Sequence, residues 1–341
     1  MNVRRLIPAT AVAGAAVLGL TALSGCSASD AADGSDGGRL KVTASFYPMQ
    51  FLAERIGGEH VAVTGLTKPG VEPHDLELSP RQIGSISDSD YVLYLKGVQP
   101  AVDDAIGQSG VRNTLDAATL TTLEKHGAEV SGDGDGHGHG HGHEGHEGGS
   151  GDGQAHEEGD GHDHGEEGGG DPHIWLDPVK YAEVAEGVGA SLQKADPDHA
   201  ADYAANTKAL VAELDGLDTA YESGLKSTAT RTFITTHSAF GYLAERYGLT
   251  QQGIAGIDPE AEPSPARIQE IHTVAAKEKA TTVFFETLAS DRTAKTLAQD
   301  TGLETDVLDP LEGITDRSRG ADYIEVMESN LAALKKALGA K

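Results

Sequence analysis

Four side chains far apart in the chain have the types that together hold a transition metal: His74, His173, His237 and Glu312. Three imidazoles with one carboxylate form a donor set that suits zinc, whereas manganese prefers oxygen-rich surroundings. Each lies in a segment dense in turn residues: Gly70-Val71-Glu72-Pro73-His74-Asp75, Pro172-His173-Ile174-Trp175-Leu176-Asp177-Pro178, Thr236-His237-Ser238-Ala239-Phe240-Gly241-Tyr242-Leu243 and Leu308-Asp309-Pro310-Leu311-Glu312-Gly313. None is a compact ligand motif, so spacing alone leaves four unrelated surface residues as an open reading. A hydrolase is also open, because three protein ligands plus a water are the pattern of catalytic zinc.

A second concentration of imidazoles stands between the first two ligand segments. Residues 132–170 contain His137, His139, His141, His143, His146, His156, His162 and His164 among Gly and eleven Asp and Glu, with no Lys or Arg. Without large apolar residues this stretch cannot build a core and is expected to be disordered. Neutral imidazoles in such a chain bind metal weakly and multiply, so the stretch reads as an auxiliary metal collector. A tolerated low-complexity insertion is the bland alternative.

The elements that must position the four residues alternate strand and helix. Leu40–Phe46 is patterned as a strand, and Met49, Leu52 and Ile56 then share a helical stripe. A second strand, Val61–Leu66, runs into the loop that ends at His74. Ser79-Pro80 then opens a helix, with Ser as cap and Pro in the first turn. Tyr91–Leu95 is a buried strand by its content, followed by a weaker stretch over residues 100–130. Pro172 and Pro178 bracket Ile174, Trp175 and Leu176, which predicts extended backbone up to Asp177 and a helix from Pro178 to about Lys194. Asp171 and Asp177 read as turn and cap residues, with support of the second ring nitrogen of His173 as the other possibility. Trp175 reads as a core anchor. His60, His126, His199 and His272 lack a comparable setting and read as surface residues.

From Asp198 to Ser227 the chain has no Pro, and Tyr203, Leu210, Leu214, Leu217, Tyr221 and Leu225 recur at helical spacing, which predicts one long connecting helix. The pattern then repeats, with strands at 231–236, 282–286 and 305–308 and helices behind Phe240, at Ser264-Pro265, from Asp291 and from Gly320. The resulting fold class is α/β, with two similar lobes of parallel sheet flanked by helices. In such sheets ligand groups gather at the carboxyl ends of strands, where His74 and His237 fall.

The chain has 341 residues and a formal net charge of -28, to which the His-rich stretch contributes heavily. So acidic a balance argues against nucleic-acid partners. Arg4 and Arg5 precede an apolar run from Leu6 to Leu23, the pattern of a secretory signal, and the run ends at Leu23-Ser24-Gly25-Cys26. Cys26 is the only cysteine. The expected divisions are a signal over 1–25, a flexible tether over 26–38, a lobe over 39–196 containing the 132–170 stretch, a connecting helix over 197–227 and a second lobe over 228–341.

The end of the leader resembles a bacterial lipoprotein signal, which implies lipidation of Cys26 and anchoring outside the cytoplasm. The four ligand segments, in order, are similar to those of the metal-binding receptor lipoproteins of bacterial zinc and manganese ABC importers, over about residues 39–341. That resemblance implies two lobes joined by a rigid helix, with metal held between them by His74, His173, His237 and Glu312. It also implies a monomer that delivers zinc to a membrane permease, with no catalysis. Zinc members have His at the third ligand position, as here, whereas manganese members have a carboxylate. Some zinc members use water as the fourth ligand, so Glu286 stands as the alternative to Glu312. A manganese receptor, a surface zinc buffer or adhesin, and a hydrolase are the competing readings.

Overall fold

The computed structural model describes residues 38–126 and 170–341. The leader, Cys26 and the eight histidines of the 132–170 stretch lie outside the described residues.

The first sheet is built from β1 (Leu40–Ala44), β2 (Val61–Gly65), β3 (Tyr91–Tyr94) and β4 (Thr114–Asp116), in the order β2-β1-β3-β4. The second is built from β5 (Thr232–Thr235), β6 (Thr250–Gly253), β7 (Thr282–Phe285) and β8 (Glu304–Val307), in the order β6-β5-β7-β8. All pairings are parallel. The two halves therefore repeat one strand order.

Helices connect the strands. The first lobe carries α1 (Tyr47–Gly57), α2 (Pro80–Ser87) and α3 (Pro100–Ser109). Next come α4 (Pro178–Ala195) and the long α5 (Ala200–Leu225), and the second lobe carries α6 (Gly241–Arg246), α7 (Pro265–Glu278), α8 (Arg292–Thr301) and α9 (Tyr323–Ala337). Ser79 and Ser264 cap α2 and α7 by accepting from the backbone N–H of Gln82 and Arg267, as the Ser-Pro pairs predict. Each such cap contributes about 1 kcal/mol.

At 26 residues, α5 is about 39 Å long. All six apolar positions of its predicted stripe are buried. It packs along α1 and α4 of the first half and α9 of the second, so it is a shared core element and not a free-standing strut. One apolar cluster, including Phe46, Trp175, Tyr181, Tyr221, Phe233 and Tyr323, runs continuously through both halves beside it.

Three expectations need correction. The segment after His173 is not extended: Ile174–Leu176 forms a 3-10 turn, with Leu176 N–H on the His173 carbonyl at 3.1 Å and Asp177 N–H on that of Ile174 at 3.2 Å. Tertiary bonds decide this, because the Trp175 indole donates to the Pro310 carbonyl at 2.7 Å and the Tyr323 hydroxyl donates to the Trp175 carbonyl at 2.6 Å. Strands β4 and β6 were not anticipated, being short and, in the case of Thr-Gln-Gln-Gly, polar edge strands without apolar alternation. The last helix begins at Tyr323 and not at Gly320, because Asp322 caps it by accepting from Glu325 N–H.

Candidate metal centre

Three of the four predicted residues follow the carboxyl ends of parallel strands: His74 after β2, His237 after β5 and Glu312 after β8. His173 arrives from the turn before α4. Topology brings them to one point. The Nε2 atoms of His74, His173 and His237 lie 3.4, 3.2 and 3.4 Å from the same Oε1 of Glu312. The His173 ring lies 5.6 Å, centroid to centroid, from each of the other two. His173 and Glu312 are fully buried, His237 nearly so, and only His74 reaches solvent appreciably.

These separations match the three edges of a tetrahedron that meet at Glu312. Ligand atoms 2.0–2.1 Å from a central ion are about 3.3 Å from one another, the spacing found between each imidazole nitrogen and the carboxylate oxygen. The second oxygen of Glu312 and the Nε2 atoms of His74 and His237 have no hydrogen-bond partner although buried. Orphaned polar atoms of this kind are costly unless a cation satisfies them.

The rings are aimed by carboxylates behind them. Asp171 Oδ1 accepts from the Nδ1 of His173 at 2.7 Å and from its backbone N–H at 3.0 Å. Glu286 Oε1 accepts from the Nδ1 of His237 at 2.9 Å and from the Thr236 hydroxyl at 2.8 Å. Each contact leaves Nε2 directed at Glu312, the orientation that a ligating histidine needs. Glu286 also belongs to a possible donor group with His237 and Glu312, but the nitrogen it holds is the one facing away from that carboxylate.

Charge follows from this packing. Burial alone disfavours a charged Glu312, yet the hydrogen bond from His173 and the close imidazoles of His237 and His74 outweigh it and hold the carboxyl well below its usual range. Burial likewise opposes a charged His173, but Asp171 and then Glu312 raise it, and Glu286 with Glu312 raises His237 well above the ordinary value. Glu72, buried two residues before His74, is pushed up to about 9 by burial and by the charge of Glu312.

Glu312 rests on a strained turn. Leu311 is buried with φ of 59°, the left-handed region that a non-glycine residue enters at a cost of about 1–2 kcal/mol. Asp309 holds it by accepting from Leu311 N–H at 2.9 Å, and Asn330 brackets Asp309 by accepting from its N–H at 2.9 Å and donating to its carbonyl at 2.7 Å.

Several residues differ from the sequence reading. Asp171 orients His173, so the turn-residue reading is too weak for it. Asp177 is a cap, accepting from Val179 N–H, and also pairs with Arg246. Trp175 is fully buried, as expected of an anchor. The four histidines read as surface residues are all half-buried, and His126 in particular contacts Asp171 and Glu245. Glu72 and the Asp309–Asn330 pair went unread; the Asp-Pro turn before Leu311 was the only sequence signal for the latter.

With this geometry in view, the chain matches the family model described as the zinc-uptake complex component A, periplasmic (ZnuA), over residues 42–337. The chain belongs to this family. Among similar ZnuA relatives, the high-affinity zinc uptake system protein ZnuA of Bacillus subtilis is 35% identical over 325 residues, covering 94% of each chain. The zinc-binding lipoprotein AdcA of Streptococcus pneumoniae is 36% identical over 320 residues; the match takes in 92% of this chain but only 58% of AdcA. A crystal structure of the Zn(II)-bound ZnuA-like domain of that AdcA superposes with a TM-score of 0.68 at 31% identity, covering 88% of this chain and 99% of the domain.

Proposed function

We propose that the chain is an extracytoplasmic zinc receptor that captures one Zn²⁺ with His74, His173, His237 and Glu312 and delivers it to an ABC permease. The observation that carries this reading is the convergence of three Nε2 atoms on one buried carboxylate oxygen at tetrahedral-edge spacing. Imidazole-rich ligation favours zinc over manganese. The zinc-uptake name of the family and the zinc-bound state of the AdcA domain support the same ion. Glu312 fills the direction that a catalytic water needs in a hydrolase, so binding is the whole activity.

The leader and Cys26 support a lipid anchor on the outer face of the cell membrane, with the folded chain acting as a monomer. In this reading residues 132–170 raise the local zinc concentration near the site. Growth of the producing bacterium in zinc-depleted medium tests both parts. His237→Ala is expected to abolish growth that the wild type supports, and removal of residues 132–170 to slow it. Normal growth with His237→Ala contradicts the receptor, and normal growth without 132–170 contradicts only the collector.

A further inference from the structure

Asp171 serves two histidines. Its Oδ1 holds His173, and its Oδ2 lies 3.2 Å from the Nδ1 of His126. The other nitrogen of His126 points away from the first centre toward two carboxylates: Nε2 is 2.7 Å from Oε2 of Glu245 and 4.0 Å from Oε2 of Glu124. One donor atom from each of these three residues falls within 4.8 Å of the other two.

We infer that Glu124, His126 and Glu245 form a second, weaker Zn²⁺ site, with water completing the coordination. An imidazole fixed at one nitrogen by a buried carboxylate and presenting the other to acidic oxygens is the arrangement that a zinc-ligating histidine adopts. His173 shows the same arrangement on the other side of Asp171.

The site is built into the fold. Gly241, at the start of α6, leaves the space that the His126 side chain occupies; a Cβ there would collide with it. Tyr242 packs its ring edge to face with His126 at 4.5 Å, and its hydroxyl accepts from Glu124 N–H at 2.8 Å and donates to the Asp171 carbonyl at 2.7 Å. Lys180 binds the other oxygen of Glu124 at 2.7 Å, which leaves Oε2 for the ion. That ammonium, the single imidazole and the exposure of Glu245 make this site weaker than the first. In sequence the His-rich stretch begins six residues after His126 and ends just before Asp171, so the site stands at both of its roots.

The test is a Zn²⁺ titration of the full-length chain followed through the ring nitrogens of its histidines by ¹⁵N-edited NMR, with the His126 signals identified by their loss in His126→Gln. The first equivalent is expected to move His74, His173 and His237, which reports the centre of the proposed function separately. Further zinc is expected to move His126 Nε2, and Glu245→Gln, on the surface, to weaken that response at least tenfold while leaving the first equivalent intact. Glu124→Gln serves as a second variant. A His126 ring that does not respond beyond the first equivalent, or that responds in both variants as it does in the wild type, overturns the site.

Discussion

The carboxylate of Asp171 grips His173 twice, with Oδ1 accepting from both the backbone N–H and the ring Nδ1 of a residue only two positions away. Both groups are fully buried. The grip fixes which ring nitrogen carries the proton and which faces Glu312.

Asp171→Ala is therefore expected to lower zinc affinity about 10- to 100-fold, the usual cost of removing a ligand's orienting partner. Asp171→Asn, whose carbonyl oxygen can still accept from Nδ1, is expected to lose less. Competition against a chelator of known affinity measures both. Equal affinities for wild type and Asp171→Ala contradict the orienting role.

In the proposed site protons and zinc compete for the same imidazoles. His173 and His237 have raised values in the metal-free fold, so their contribution to stability is complete below the unfolded value of about 6.5 and is lost as pH rises through their folded values. Glu312 is lowered, so its contribution is present above its unfolded value of about 4.5 and is lost as pH falls through its folded value. The metal-free protein is thus expected to gain most from the site between about pH 4.5 and 6.5. Zinc is expected to raise the melting temperature more at pH 8 than at pH 5.5, and its binding at pH 7 to release protons. Calorimetry in buffers of different ionisation enthalpy reads the release; none at pH 7 contradicts this electrostatic account.

The turn beneath Glu312 can be loosened without touching any of the four proposed ligands. Asn330→Ala strips Asp309 of two buried backbone hydrogen bonds, and each unsatisfied group costs about 1–3 kcal/mol. A fall in the urea midpoint at unchanged slope is expected, together with weaker zinc binding, because the left-handed Leu311 loses its support. An unchanged midpoint contradicts this role for Asn330.

Much of this was legible in the chain itself. Strand-helix alternation predicts the two lobes, and the buried stripe from Tyr203 to Leu225 predicts the central helix. His74 and His237 are readable because the ends of parallel strands collect ligands. The 3-10 turn after His173 was not readable, since it depends on Pro310 and Tyr323, more than 130 residues away. The short strands β4 and β6 escaped because pairing with a buried neighbour, and not their own pattern, makes them strands. Glu286 reads from the sequence as the alternative fourth ligand, and only the fold shows it behind His237. His126 has no flanking motif, and its company with Asp171 and Glu245 is purely tertiary.

The measurement that bears most directly on the central claim is a chelator-competition titration of zinc into the wild type, His237→Ala, Glu312→Ala and Glu286→Ala. One tight equivalent is expected in the wild type. It should be lost in His237→Ala and severely weakened in Glu312→Ala. In Glu286→Ala it should weaken about 10- to 100-fold, because that residue acts through His237. A tight equivalent that survives unchanged in His237→Ala and Glu312→Ala would place the metal elsewhere in the chain and contradict the account.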